Sequence, residues 1–450
     1  MNWNLLKTNL FNWLNLRLIF LIILLSFLLP LVYSFYHHIE PVVDAEAYDQ
    51  IAVNLLDGYG YKENRSASYE FDISIVRAGP AYEFFLAGIY CVFGHHYGMV
   101  WFWQAFLHAL TAYLLFLTAK LIFSDFAGSQ IGLISAAMFG FHPDLIEISA
   151  MLMTETLYLF VLVLMFWMFV KVYREERIYL DVLLGILLAL SILTRPPIIL
   201  FSPIFIFYYG FHGRWKSLAV FSISCLLVLM PWIVRNYLIY HQFILTTLIS
   251  SYNLWIGNTL LSVGGQIAGG TNYLTQYTDV HGFFSLAKQS RMEFLNFLTT
   301  YPWFFVKLCF IRFVRFFSLI RPMGFWFYQS GIQQMFFVSY SLFAIIVLFV
   351  GGFSGLIFAL RKNNTLLNYF VLFAFLSPLP LLLTVVQSRY RFQIYPLLSI
   401  FFGYFLISYK LQKSIAQKIL WGVLSFLIVI SLIDAINFWP LIQQRLSLFI

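Results

Sequence analysis

The chain is 450 residues long, 61% hydrophobic and 20% aromatic, with only 10% of its residues charged. A water-soluble domain is nearer half apolar and a quarter charged, so that class is excluded. The net charge of +8 does not indicate nucleic-acid binding, because Lys and Arg collect in the short segments between apolar runs, as membrane orientation requires.

Apolar runs of roughly 17–25 residues, the length that crosses a bilayer as a helix, recur along the whole chain. The first, 18–36, follows Lys7 and Arg17. It is too long for a signal-peptide core and lacks a small-x-small cleavage site, so it reads as a retained span with a cytoplasmic N-terminus. Residues 37–97 form a first external loop, within which 79–94 is apolar but short enough to lie in the membrane interface. Further spans are expected at 98–121, 131–148, 155–172, 178–194, 197–211 and 217–238, then at 333–359, 366–385, 392–409 and 419–438. The expectation is therefore an all-α polytopic membrane protein, one domain over 1–450, with about eleven spans by the length rule.

Charge sets the orientation. Lys120, the Lys171/Arg174/Arg177 group, Arg214/Lys216, Arg361/Lys362 and Lys410/Lys413/Lys418 fall on one side, read as cytoplasmic. Residues 239–332 make a large external loop, the fourth, holding the Gly264-Gly265 and Gly269-Gly270 pairs. These pairs read as loop flexibility. The loop ends in a basic amphipathic segment with Lys307, Arg312 and Arg315, expected on the membrane surface. Interfacial helices are thus expected in the first and fourth external loops.

Two sets of charges remain on the external side. Asp44, Glu46 and Asp49 lie within six positions of one another just after the first span. Acids beside a bilayer are costly and need a partner or a task. Glu155 opens the span that follows Met151-Leu-Met-Thr, where it serves equally as a first-turn helix residue. Arg77, Arg195, Arg235, Arg389 and Arg391 run against the positive-inside bias. A lipid-linked phosphate explains them, since a guanidinium grips phosphate oxygens at two points; headgroup pairing or helix capping is the plainer alternative. Asp144 and Glu147 read as loop acids, and His142 and His281 as isolated structural histidines. Cys91, Cys225 and Cys309 stand far apart at no metal-like spacing. There is no phosphate-binding glycine loop, nucleophile elbow or dinucleotide fingerprint.

Several short motifs occur in a familiar order. They are Asp44-x-x-x-Tyr48 with Asn54-Leu-Leu-x-Gly58-x-Gly60-Tyr61, Arg77-Ala-Gly-Pro80-x-Tyr82, and Met153-Thr-Glu155. Leu193-Thr-Arg-Pro196, Pro231-Trp-x-x-Arg-Asn236, and Arg389-Tyr390-Arg391 with Pro396 follow. In this the chain resembles the GT-C superfamily of membrane glycosyltransferases, in particular its protein O-mannosyltransferase-like and lipid A aminoarabinose transferase-like branch. The resemblance implies a polyprenyl-phosphate-linked sugar as donor and an acceptor hydroxyl on lipid A, polysaccharide, teichoic acid or protein. It implies transfer at the external, periplasmic face of a bacterial inner membrane. Asp44 maps to the general base, with Glu46 as the alternative because Ala45 separates the two acids. Glu155 maps to a second acid, and Arg77, Arg195, Arg235, Arg389, Tyr390 and Arg391 to the donor phosphate. Attack opposite the phosphate would invert the anomeric centre. No cofactor is required on this reading; a divalent metal is permitted, not predicted. An O-antigen polymerase or ligase, and a transporter or flippase of lipid-linked sugars, are the rival classes.

Overall fold

The computed structural model describes residues 3–124, 127–264, 268–320, 329–362, 364–439 and 443. Regular structure among the described residues is helical throughout. Eight helices there are long and apolar enough to cross a membrane, from Asn15–His37 to Lys413–Asn437. These correspond to eight of the expected spans. The other three are also helical. Ile178–Thr194 and Pro196–Phe211 are shorter apolar helices, and Gly128–Gly140 with Pro143–Ser149 is a pair bent by 57°. This is a multi-pass membrane protein.

Burial separates the bundle's centre from its lipid face. Trp215–Tyr240 leaves Ile223, Leu226, Leu227 and Val234 exposed, and Lys413–Asn437 leaves Phe426, Val429 and Leu432 exposed. Large side chains bare on a spanning helix are what acyl chains cover. Thr154–Glu175, by contrast, buries Leu162, Phe166 and Phe169 completely. Close backbone approach holds other helices together: a Cβ on Gly355 would stand 1.9 Å from the Phe401 carbonyl oxygen. Gly331–Leu360 can lie on Tyr395–Leu411 only because a small residue occupies that contact.

The segments between spans are built, not slack. In 37–97 the helix Asp44–Leu56, a tight turn at Ile73–Val76 and the helix Pro80–Phe93 follow in order. Asp72 accepts the Ser74 amide at 3.0 Å to start the turn, and Pro80 opens its helix where no amide is needed. Within 239–332 stand the helices Ile249–Gly257, Ala268–His281, Leu286–Thr300 and Pro302–Phe317. Gly269 and Gly270 thus open a helix, and Gly265 lies outside the described residues. Leu286–Thr300 and Pro302–Phe317 meet at 106°.

The basic face expected around Lys307, Arg312 and Arg315 is only partly solvated. Arg312 is fully buried and donates to the carbonyls of Leu382 and Gly257 and to Asn258 Oδ1. Arg315 is buried with its guanidinium 3.9 Å from the Phe438 ring centroid. Backbone carbonyls and an aromatic face offset part of the cost of taking these charges out of water.

Candidate active site

Asp44 is the first residue of its helix, where a carboxylate is favoured by the exposed amides and the helix dipole. The residue before it, Val43, has φ 55°, a left-handed backbone that β-branched side chains rarely adopt. That kink turns the chain into the helix and leaves the Asp44 side chain 27% exposed.

Both carboxylate oxygens of Asp44 are taken by guanidinium groups. Arg77 Nη1 donates to Oδ1 at 3.2 Å, and Arg389 Nη2 donates to Oδ2 at 2.6 Å. Arg77 is gripped from behind, its Nε and Nη2 each donating to Glu63 at 2.8 Å. Its approach depends on Gly79, where an added Cβ would stand 2.2 Å from the Leu193 carbonyl oxygen. That contact seats the Arg77-Ala-Gly-Pro turn against the end of Ile178–Thr194, beside Arg195. Arg195 in turn donates to Glu155 Oε1 at 3.1 Å and lies over the rings of Tyr158 and Tyr390. Burial works to raise the Asp44 carboxyl, but Arg389, Arg77 and Arg195 outweigh it and hold the group below its ordinary value.

These groups surround a cavity of about 910 Å³. Asp44, Tyr48, Arg77, Arg195, Arg389 and Tyr390 line it, with Ile198, Ile199, Leu200, Leu381 and Leu383 as an apolar flank. A charged end beside a greasy wall is suited to an amphiphile with an anionic head. Among the described residues no group of three His, Cys, Asp or Glu could hold a metal ion, and Asp44 already has both oxygens engaged.

The remaining expected site residues sit elsewhere. Glu155 is fully buried and reaches the cavity only through Arg195. Glu46 is exposed and does not line the cavity. Arg235 lies in an aromatic box of Tyr61, Tyr69, Trp232 and Tyr240, 4.9 Å from the Trp232 centroid, with one nitrogen on the Tyr61 carbonyl. Arg391 is buried, donating to the carbonyls of Ser388 and Ser318, so it fixes the turn that carries Arg389. Asp49 accepts the hydroxyls of Tyr90 and Tyr97 at 2.5 and 2.9 Å and faces His95, which ties the Asp44 helix to the start of the next span.

Sequence reasoning missed two acids. Glu63 sits in the most polar stretch of the chain, and that polarity was its only signal. Glu83, directly after the Arg77–Tyr82 motif, is fully buried with Oε1 accepting the Tyr61 hydroxyl at 2.9 Å. Its Oε2 has no hydrogen-bond partner among the described residues. Burial pushes this carboxyl up to about 8.

Residues 77–240, less than half of the chain, match the family model described as dolichyl-phosphate-mannose-protein mannosyltransferase. The fold is similar to that of the Archaeoglobus fulgidus oligosaccharyltransferase tethered with an acceptor peptide containing the NVT sequon. That structure is 13% identical with a TM-score of 0.51, over 95% of this chain and 55% of that one. The apo form of the same enzyme gives 13% identity and a TM-score of 0.50, over 95% and 55%. ArnT from Cupriavidus metallidurans bound to undecaprenyl phosphate gives 12% identity and a TM-score of 0.44, over 93% and 76%. The chain spans about half the length of the oligosaccharyltransferase. No curated protein matches it by sequence. The family-model match over 77–240 and the likeness of fold to the oligosaccharyltransferase are in line with the resemblance read from the motifs.

Proposed function

We propose that the chain transfers a sugar from a polyprenyl-phosphate donor to an acceptor hydroxyl, at the external face of the membrane, with Asp44 as general base. The observation that carries this reading is the double clasp of Asp44 by Arg77 and Arg389 at the head of an amphiphilic cavity. The apolar flank takes the first isoprene units, and the arginines take the phosphate.

A carboxylate held in two ion pairs is a poor base. An arriving phosphate carries more charge than a carboxylate and competes for the same guanidinium groups. As Arg389 turns to the phosphate, Asp44 loses its stabilisation and its basicity rises. Arg77 does not swing away, because Glu63 keeps hold of two of its nitrogens. The freed Asp44 oxygen then accepts the acceptor's hydroxyl proton as that oxygen attacks the anomeric carbon. The C–O bond to phosphate breaks with inversion, and the leaving lipid phosphate is held by Arg77, Arg195 and Arg389. Three fixed positive charges meet the charge that develops, and no step calls on a cofactor. Arg235 and Arg391 act as supports, the first for the 57–79 segment and the second for the 388–394 turn.

The test is binding of a bare polyprenyl phosphate to purified protein in lipid nanodiscs. Wild type is expected to bind it, Arg389→Ala to lose about tenfold or more in affinity, and Asp44→Asn to bind at least as well as wild type. Equal binding by wild type and Arg389→Ala sinks the phosphate assignment.

A further inference from the structure

We infer that the run Ser250-Ser251-Tyr252-Asn253 is the surface that reads the hydroxyls of the transferred sugar. The inference rests on the donor reading above and adds the residues that would choose among donors.

The four residues fall at the start of the helix Ile249–Gly257, and all four line the cavity that holds Asp44. None of their side chains makes a hydrogen bond with the described residues. Asn253 Oδ1 is buried without a partner. An unsatisfied buried amide oxygen is costly, and a turn about the terminal torsion brings it to the cavity side, where a ligand donor meets it. Ser250 and Asn253 are three positions apart and share one face of the helix.

Neighbouring polar residues differ in this respect. Thr247 donates to the Ala78 carbonyl, Gln387 accepts from Arg389, and Asn258 donates to the carbonyls of Leu254 and Leu383. Those groups are committed to the fold, and the 250–253 run is not. The helix itself is firmly seated. The Leu248 amide just before it donates to the Ile75 carbonyl at 2.7 Å, and a Cβ on Gly257 would stand 2.2 Å from the Thr384 carbonyl oxygen. A rigid element with unshared hydroxyl and amide groups is suited to carbohydrate, whose recognition depends on many directed hydrogen bonds.

Position puts the run beside the donor sugar. Tyr252 stands within the electrostatic reach of Arg77 and Asp44. A glycosyl group bonded to a phosphate among Arg77, Arg195 and Arg389 must occupy the space beside that phosphate, within the same cavity.

The experiment compares bare undecaprenyl phosphate with undecaprenyl phosphates carrying glucose, galactose, mannose or N-acetylglucosamine, using the full chain in nanodiscs and native mass spectrometry. Wild type is expected to hold at least one sugar-bearing lipid roughly tenfold more tightly than the bare lipid. Asn253→Ala and Ser250→Ala are expected to erase that preference and keep the affinity for bare lipid. If wild type binds the bare lipid and every glycolipid equally, or if both variants keep the preference, the sugar-reading role is overturned while the phosphate site stands. Variants that lose bare-lipid binding too would show a phosphate-side or structural role and overturn it equally. Failure of wild type to bind any of the lipids removes the donor reading itself, and this inference with it.

Discussion

Arg389 reaches Asp44 at 2.6 Å across 345 positions of sequence. Arg77 meets the other oxygen of the same carboxylate at 3.2 Å. Asp44 is therefore the point at which an early loop and a late turn are joined, and its replacement has two separable effects. Asp44→Asn keeps the shape and removes the base, so sugar transfer should fall by about 10²–10⁴-fold while membrane insertion and yield are kept. The check is the rate of transfer against the amount of folded protein; near-normal turnover by Asp44→Asn would show that the base is elsewhere.

The five arginines expected on the external side should divide under substitution. Arg77→Ala and Arg389→Ala are expected to raise the KM for donor by at least about tenfold, since each removes a charge-assisted contact. Arg235→Gln is expected to leave donor KM unchanged and to lower thermal stability, because its contacts are four aromatic rings, the Asn236 side-chain oxygen and a carbonyl. Steady-state kinetics and melting curves on the three variants distinguish the groups. A donor defect in Arg235→Gln equal to that of Arg389→Ala would contradict the division.

Two acids give opposite pH dependences. Asp44 is held below its ordinary value, so its ion pairs stabilise the fold above the unfolded pKa of about 4 and that contribution is lost as pH falls through the lower folded value. Glu83 is pushed from 4.5 up to about 8. Between those values the folded state holds a proton that the unfolded state has released, so stability falls as pH rises. Glu83→Gln keeps an acceptor for Tyr61 and removes the titration. Its melting temperature should exceed that of wild type by about 5 °C at pH 8 and match it near pH 4.5. Parallel curves for the two proteins over that range would exclude the effect.

Val43 offers a stability test that leaves every contact of Asp44 in place. Its left-handed backbone costs a β-branched residue about 1–3 kcal/mol. Val43→Gly removes that cost and gives back part of it as unfolded-state entropy. A net rise in melting temperature is expected. Val43→Ala, which still carries a Cβ, should recover less. A fall in stability with Gly would mean that the exposed Val43 side chain holds the turn.

Gly79→Ala should act on the site without touching a charged group. The added methyl collides with backbone at Leu193 rather than with a flexible side chain, so the Arg77 turn must move. Donor KM is expected to rise several-fold, with the rate recovered at saturating donor. An unchanged KM would show that Arg77 tolerates the displacement.

The spans were legible because hydropathy over a bilayer's width is a strong and redundant signal. Even the three short or bent helices matched expected runs, since apolar composition marks them although their length does not. The site was legible in part. Asp44, Arg77, Arg195 and Arg389 stood out as charges with no topological reason to be where they are, and they line one cavity. Arg235 and Arg391 stood out for the same reason and do not. In a sequence, an arginine satisfied by aromatic rings or buried carbonyls is indistinguishable from one awaiting a phosphate. Glu63 and the 250–253 run gave no usable signal, because their significance lies in what they touch or leave untouched across the fold. The inward turn of Arg312 was illegible too, as hydrophobic patterning alone places a basic helix at the surface.

The distance along the chain between Asp44 and Arg389 also bears on biosynthesis. During translation the acid emerges among the earliest segments, and one of its two clasping arginines only after most of the bundle has been threaded into the bilayer. Until then Asp44 has Arg77 alone, and the cavity lacks the wall supplied by residues 380–393. A chain ending before residue 380 would therefore lack Arg389 and one wall of the cavity, and on the proposed reading it would lack a full donor site.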